Sequence, residues 1–214
     1  MAVNEARTLL VGGGAREISG LRRLVDVAVV LLVSPLIAPL LLVLALLVKL
    51  DSRGPAFYSQ KRIGAGGRPF RMWKLRTMVA DAESRKEELL ALNALTWPDF
   101  KLEQDPRVTR VGRLLRATTL DELPQLLHVL RGEMTLVGPR AWSLDVASYK
   151  LWQTERLEYR PGLFGSWQAG ARGVATVDDR CRMDIRDRRS ESLGRDIGLT
   201  ARSLLAVLRR TGRH

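Results

Sequence analysis

The stretch "VDVAVVLLVSPLIAPLLLVLALLVKL", residues 25–50, constrains this chain more than any other. From Val27 to Val48 it carries no charged residue. A straight helix of that length rises about 33 Å, enough to cross a hydrocarbon core of about 30 Å. A buried core helix would show an apolar stripe, whereas this run is apolar on every side. A secretory signal peptide is disfavoured by the length, the two internal prolines and the lack of an Ala-x-Ala site before "KLDSRG".

Pro35 and Pro39 argue against a simple span. Each removes a backbone donor and crowds the carbonyl four residues back, so a kink or break is expected. The hydroxyl of Ser34 can take up a carbonyl freed in this way. Split at Pro35, the run gives arms of about 12 Å and 20 Å, neither of which spans alone. Arg22 and Arg23 precede the run, and Lys49 and Arg53 follow it. Positive charge at both ends gives no orientation under the positive-inside rule. A helix that enters, breaks at Ser34-Pro35 and returns to the same face satisfies both observations, with a true span as the alternative.

The rest of the chain is strongly basic: 35 Lys and Arg against 23 Asp and Glu, a formal net charge of +12 over 214 residues. That balance suits an anionic partner, whether nucleic acid, an anionic membrane surface or a phosphorylated substrate. The single cysteine, Cys181, excludes an internal disulfide and fits a reducing compartment. The two histidines, His128 and His214, form no zinc-ligand spacing.

The expected organisation is a flexible tail over residues 1–20, a re-entrant membrane helix over 21–50 and a catalytic domain over 51–214. The fold class is α+β: the broken helix packed on a small, mainly helical domain with a short β-hairpin or sheet and amphipathic surface helices. "AFYSQKRIGAGGRPFRMWKLRTM" reads as the hairpin, turning at Gly66-Gly67. In its second strand Lys74 and Arg76 share one face, Trp73 and Leu75 the other; by pattern alone a solvated edge is the favoured reading of the two basic residues. "VADAESRKEELLALNAL" reads as a charged amphipathic helix, followed by a loop in which Trp97 and Phe100 are interfacial anchors or loop packing. "LPQLLHVLRGEM" reads as a helix stopped near Gly132, with His128 a packed residue, then a short apolar strand and a turn at Gly138-Pro139. "RPGLFGSWQAGARG" reads as a glycine-punctuated loop. At the end of the chain Leu193, Ile197, Ala201, Leu204, Leu205 and Leu208 form one helical stripe, which packs on the domain or lies on a membrane surface.

Two carboxylates stand side by side in "RATTLDELPQ", Asp121 and Glu122. Thr119 with Glu122 has capping-box spacing, and acidic residues suit a first helical turn. Taken alone, a cap is the favoured reading. The surroundings point elsewhere. Arg107, Arg110, Arg113 and Arg116 come just before the pair, and Arg131 and Arg140 just after. Arginine forks bind phosphate bidentately. Such a site can hold a diphosphate and present a carboxylate nucleophile to it, while a second carboxylate holds Mg²⁺ to neutralise charge.

With these residues in place, the sequence resembles the bacterial sugar transferase family, the monotopic phosphoglycosyl transferases. The matching stretches are the Ser34-Pro35 pair, "SQKRIG", "FRMWKLRTM", "DPRVTRVGRLLRATTLDELPQLLHVLRGEMTLVGPR" and "RPGLFGSWQAGARG". The resemblance implies transfer of a sugar-1-phosphate from a UDP-sugar to a polyprenyl (undecaprenyl) phosphate, the first membrane step of a bacterial glycoconjugate or exopolysaccharide. It implies Asp121 as the nucleophile forming a covalent phospho-sugar intermediate and Glu122 as the Mg²⁺ ligand. It implies Lys74, Arg76, Arg107, Arg116 and Arg140 as phosphate and substrate contacts, and Ser34-Pro35 as the helix break. It further implies a bacterial inner membrane location with the catalytic domain on the cytoplasmic face, contact with the bilayer, no nucleic-acid partner, and room for a homodimer. The chain looks like a minimal catalytic unit. The usual "VGPRP" is "VGPRA" here, with Ala141, and Phe164 and Ala169 depart from the usual "GLTG-x-WQV".

Two other readings stand beside it. A basic nucleic-acid-binding protein accounts for the charge but leaves the apolar run unexplained and shows no stacking platform. A membrane-surface scaffold that kept the dyad without activity accounts for the run and the basic tail.

Overall fold

A computed structural model describes residues 15–85, 89, 102, 104–143, 146–166, 176–190 and 192–208. Helix α1 (Gly20–Asp51) is 32 residues long and carries the apolar run. It continues through Pro35 and Pro39 without interruption. Pro35 has no N–H to offer the carbonyl four residues back, that of Leu31; the Ser34 hydroxyl donates to that carbonyl instead, at 2.9 Å. The expected break thus takes the form of a substituted hydrogen bond inside a continuous helix. Many of its apolar side chains face outward, including Leu32 (81% exposed), Leu36 (73%) and Leu42 (74%).

After α1 come β1 (Phe57–Ile63) and β2 (Pro69–Leu75), paired in one two-stranded sheet around a 3₁₀ turn at Ala65–Gly67. Gly66 and Gly67 have positive φ, which is why the hairpin turns where two glycines stand. Residues 80–85 form turns; the rest of the charged helix expected over 79–95 falls largely outside the described residues, as do Trp97, Phe100 and Gly12–Gly14. Helix α2 (Arg110–Thr118) begins at Thr109, whose hydroxyl accepts the Gly112 N–H as an N-cap. A 3₁₀ helix (Leu120–Gln125) leads into α3 (Leu126–Arg131), which stops where Gly132 adopts a left-handed conformation. Strand β3 (Thr135–Val137) pairs in parallel with β4 (Gly162–Phe164), inside the segment expected to be loop. A 3₁₀ helix (Leu151–Glu158), α4 (Val177–Arg189) and α5 (Leu193–Leu208) complete the described elements.

The chain divides into two compact units. One comprises Met1–Ser34, Gln60–Met72 and Gln125–Arg213; the other comprises Pro35–Ser59 and Trp73–Pro124, with His214. A boundary falls between Ser34 and Pro35.

In the first unit, Val30 of α1 joins Met72, Val129, Met134, Leu136, Val137 and Leu199 in one core. Polar ties reinforce the start of α1. Arg23 donates to the carbonyls of Val129 and Leu130 at the end of α3, satisfying acceptors that a helix end leaves open. Arg22 pairs with Asp196 at 2.5 Å, and Asp26 accepts the Thr135 hydroxyl. Arg16, in the expected tail, donates from its main chain to the Glu158 carbonyl and stacks over Tyr159. His128 is buried with Nδ1 2.6 Å from Glu133 Oε2 and its ring edge against Phe70, as expected of a packed residue. Helix α5 packs through Asp196, Leu199 and Ser203, while Leu193, Ile197, Ala201, Leu204 and Leu205 point outward. The apolar stripe is therefore exposed, and packing of that stripe on the domain, the commoner arrangement, is not what forms.

In the second unit, Leu44 and Val48 of α1 pack with Ala56, Leu75 and Leu115. The Asp51 carboxylate accepts the Val111 N–H at 2.9 Å, fixing the end of α1 to the start of α2.

Candidate active site

The acidic pair sits on the 3₁₀ helix that follows α2, and its local geometry begins at Thr119. This residue ends α2 in a left-handed conformation (φ 56°), the one non-glycine with positive φ among the described residues. A β-branched residue there is strained, and strain of this kind gathers at functional sites. The capping box suggested by spacing does not form. The Thr119 hydroxyl donates to Thr118 O at 2.7 Å, and the Glu122 N–H goes to the Thr119 main-chain carbonyl. The Glu122 carboxylate turns instead to Lys74, with Nζ 2.7 Å from Oε1. Both side chains are mostly buried, so the solvated edge expected for Lys74 is not found.

Arg116, on the last turn of α2, donates from Nε to the Thr77 hydroxyl at 3.0 Å. Its terminal nitrogens carry no hydrogen bond among the described residues. Burial lowers its pKa from the ordinary value, while the negative charges of Asp121 and Asp105 oppose that shift. A half-buried guanidinium with open donors, in the field of an adjacent carboxylate, is suited to an anion. The Thr109 cap and the close packing of Gly112 set its position. A Cβ on Gly112 would lie 2.0 Å from Thr77 O, so α2 reaches Thr77 only because residue 112 has no side chain.

The other two arginines expected as substrate contacts in this unit, Arg76 and Arg107, are committed differently. Arg76 is buried and donates to Pro55 O (2.5 Å), Ser52 Oγ (2.6 Å), Ser52 O (2.9 Å) and Met78 O (3.2 Å). It clasps the turn that leaves α1 against the end of β2. Arg107 is buried in a two-pronged pair with Asp105, at 2.9 and 2.7 Å, and donates to Ala82 O at 3.1 Å. The hydrogen bonds from Arg107 hold the Asp105 carboxyl below its ordinary pKa.

The fifth expected contact, Arg140, belongs to the first unit. Arg140 helps line a small cleft together with Ile63, Gly64, Pro139, Arg156 and Tyr159. The arrangement around it was not legible in the sequence. Arg156 is buried, donates twice to Asp184 (3.1 and 2.6 Å), stacks 3.9 Å over Trp142 and donates to the Arg140 carbonyl at 2.7 Å. Burial pushes the Asp184 carboxyl up to about 6 against the opposing charge of Arg156.

Two neighbouring carboxylates suit a hard divalent cation that keeps several waters and takes its remaining ligands from substrate phosphates. Among the described residues no group of three or more His, Cys, Asp or Glu side chains gathers into an all-protein cage. The carboxylate oxygens present here are of the kind Mg²⁺ accepts.

The sequence profile of the bacterial sugar transferases matches residues 18–210, nearly the whole chain. The chain belongs to the bacterial sugar transferase family. Among similar family members, the UDP-glucose:undecaprenyl-phosphate glucose-1-phosphate transferase of Caulobacter vibrioides is 42% identical over 202 residues, covering 87% of this chain and 69% of that protein. The galactosyl transferase CpsE of Streptococcus agalactiae is 42% identical over 161 residues, 74% of this chain and 36% of that protein. The exopolysaccharide production protein ExoY of Rhizobium meliloti is 36% identical over 203 residues, 91% of this chain and 89% of that protein. The chain thus spans about a third of CpsE and most of ExoY. Within this sugar transferase domain, Lys74, Arg116, Asp121 and Glu122 fall in one compact unit, and Arg76 and Arg107 buttress the same unit from within.

Proposed function

We propose that the protein transfers a sugar-1-phosphate from a UDP-sugar to undecaprenyl phosphate or a related polyprenyl phosphate, at the cytoplasmic face of a bacterial inner membrane. The step would open the membrane stage of exopolysaccharide or glycoconjugate assembly. The observation that carries this reading is the dyad itself: Asp121 in the field of Arg116, and Glu122 held by Lys74, on one six-residue 3₁₀ helix. The names of the relatives, which specify undecaprenyl-phosphate and exopolysaccharide chemistry, support the substrate class.

In the first half-reaction a carboxylate oxygen of Asp121 attacks the phosphorus that bears the sugar. The bond from that phosphorus to the oxygen of the nucleoside phosphate breaks, and UMP leaves with the bonding electrons. The sugar-phosphate is then esterified to Asp121 as an acyl phosphate. In the second half-reaction a phosphate oxygen of the lipid attacks the same phosphorus, the bond to Asp121 breaks, and the carboxylate is restored. Both nucleophiles are already anionic, so neither half requires a general base.

Anion attacking anion requires positive charge nearby. Arg116 supplies open guanidinium donors, and Lys74 offsets the charge of Glu122. Glu122 is the residue that would hold Mg²⁺, which when bound would supply further neutralisation of the diphosphate. Arg76 and Arg107 contribute through the frame they fasten and through their fields. Arg140, by its match to the family motif, would bind a substrate phosphate.

The membrane helix is read as re-entrant, bending at Ser34-Pro35, where the Leu31 carbonyl takes its hydrogen bond from the Ser34 hydroxyl rather than from the backbone. Each end of α1 is fastened to folded polar structure, through Arg22, Arg23 and Asp26 at the start and Asp51 at the finish. The chain also passes between the two units at Ser59–Gln60, Met72–Trp73 and Pro124–Gln125, none of them in an apolar run. These tethers and crossings support the re-entrant reading. The outward apolar faces of α1 and α5 support lipid contact.

The test is UMP release by the detergent-solubilised protein, with Mg²⁺, a panel of UDP-sugars and undecaprenyl phosphate. Lipid-dependent release that vanishes in Asp121→Asn is expected. Release that is unchanged in Asp121→Asn would remove the dyad from the mechanism, and no release with any UDP-sugar would favour the scaffold reading.

A further inference from the structure

Arg156 is an unusual residue to bury: 2% exposed, with its guanidinium surrounded by the core that holds Trp142, Tyr149, Leu157 and Cys181. A buried ion pair is weak as a source of stability, because apolar side chains of like volume often serve equally well. What an arginine adds is a rigid set of donors in fixed directions. Asp184 takes Nε and Nη2, Tyr149 Oη accepts from Nη1 at 3.3 Å, and Nη2 also reaches the Arg140 carbonyl at 2.7 Å. The next carbonyl along, that of Ala141, accepts from Arg62 Nη1 at 3.1 Å. The residue after that, Trp142, is bridged to Ile63 and lies under the Arg156 plane.

The approach to Arg140 from the other side is equally fixed. A Cβ on Gly138 would lie 2.5 Å from Arg160 O, and one on Gly162 would lie 2.0 Å from Gly138 N. Gly138 N donates to Phe164 O and Gly162 N donates to Pro139 O. The main chain is therefore gripped on both sides of Arg140, with a guanidinium on its own carbonyl.

We propose that Arg156, oriented by Asp184, is a positioning residue for the donor substrate: it fixes the backbone at Arg140 so that the Arg140 side chain meets a phosphate of the UDP-sugar in a set geometry. This rests on the reading of Arg140 as a phosphate contact. A binding arginine held by a rigid backbone keeps its geometry between turnovers, whereas one on a loose loop must be ordered each time substrate binds. The role differs from that of the dyad, because Arg156 touches no reacting atom.

A double-mutant cycle on the full-length detergent-solubilised protein tests this, with UMP release measured against UDP-galactose and UDP-glucose. Arg140→Ala and Arg156→Gln are each expected to raise the KM for the UDP-sugar by roughly tenfold, with kcat and the KM for undecaprenyl phosphate changed far less. The double variant is expected to be no worse than Arg140→Ala alone, since a misplaced arginine and an absent one lose the same contact. Arg156→Lys carries the same cycle if the glutamine variant is not folded by circular dichroism. Losses that multiply in the double variant, or a folded Arg156 variant with unchanged KM, would overturn the inference. An unchanged KM in Arg140→Ala, with UMP still released, would overturn it while leaving the proposed reaction intact; no UMP release by the unaltered protein would overturn both.

Discussion

Lys74 Nζ lies 2.7 Å from Glu122 Oε1, joining the end of the hairpin to the 3₁₀ helix that carries the acidic pair. The contact orients one carboxylate and leaves its neighbour to do different work. Both side chains are mostly buried, so removing Lys74 leaves the Glu122 charge less compensated, at a cost of up to about 3 kcal/mol. Lys74→Met should therefore lower the thermal midpoint without unfolding the protein, yet lower kcat/KM roughly 100-fold through loss of orientation and charge. Parallel melting and UMP-release measurements check this; a loss of activity matched by loss of fold would contradict it.

The left-handed Thr119 makes an opposite pair of expectations. Glycine adopts that conformation without strain, so Thr119→Gly should cost no stability and should stabilise the fold by up to about 1 kcal/mol. Turnover should nonetheless fall, because a looser joint between α2 and the dyad no longer fixes Asp121 beside Arg116. Chemical denaturation and steady-state kinetics on the same preparation separate the two effects.

Glycine spacing gives a sharper contrast. Gly112→Ala drives a methyl into the Thr77 main chain, 2.0 Å away at the carbonyl oxygen, and should cost about 3 kcal/mol or more while displacing Arg116. Gly198 in α5 has nothing within 4 Å of a built Cβ. Gly198→Ala should therefore stabilise the protein by roughly 0.5–1 kcal/mol. Differential scanning of both variants tests the packing directly.

Asp105 sets an acid limb. The hydrogen bonds from Arg107 hold its folded pKa below the ordinary 3.8. Its contribution to stability is thus fully present above that value and is lost as pH falls through it toward the lower folded value. Asp105→Asn should flatten the dependence of stability on pH below about 4. At neutral pH it should cost about 1–3 kcal/mol, since the buried two-pronged pair with Arg107 would be lost. Denaturation curves across pH 3–7 (about that range suffices) read both effects.

The sequence made the apolar run, the hairpin turn at Gly66-Gly67 and the helix stop at Gly132 legible, because each rests on local chemistry: continuous hydrophobicity, glycine at positive φ, glycine at a helix end. It also singled out the acidic pair through the density of arginine around it. It could not say which arginine was open and which committed. Arg76, Arg107 and Arg116 look alike in the chain. They differ because Ser52, Pro55 and Asp105 take up the donors of the first two, whereas Arg116, among the described residues, gives only Nε to Thr77. The capping-box spacing at Thr119 and Glu122 was misleading for the same reason: Lys74, 48 positions away, competes for the carboxylate. Strand β4 was hidden because three residues of "RPGLFG" pair with a strand made far upstream. The Arg156–Asp184 pair left no pattern at all, being 28 positions apart.

The lone cysteine offers a clean topology measurement. Cys181 is buried and its thiol is pushed up to about 11, so it should not react with maleimide in the folded protein. Single cysteines placed at Glu17 and Arg53, both exposed, should then be labelled from the same side of sealed vesicles by a membrane-impermeant reagent. Labelling from opposite sides would mean that α1 spans.

The most direct test of the account is the mass of the peptide carrying Asp121, taken after the protein is quenched with Mg²⁺ and an accepted UDP-sugar in the absence of lipid phosphate. The account predicts an added sugar-phosphate on Asp121, discharged when undecaprenyl phosphate is supplied and absent from Asp121→Asn. A protein that turns over with no adduct on that peptide, or that keeps turning over without the Asp121 carboxylate, would contradict it.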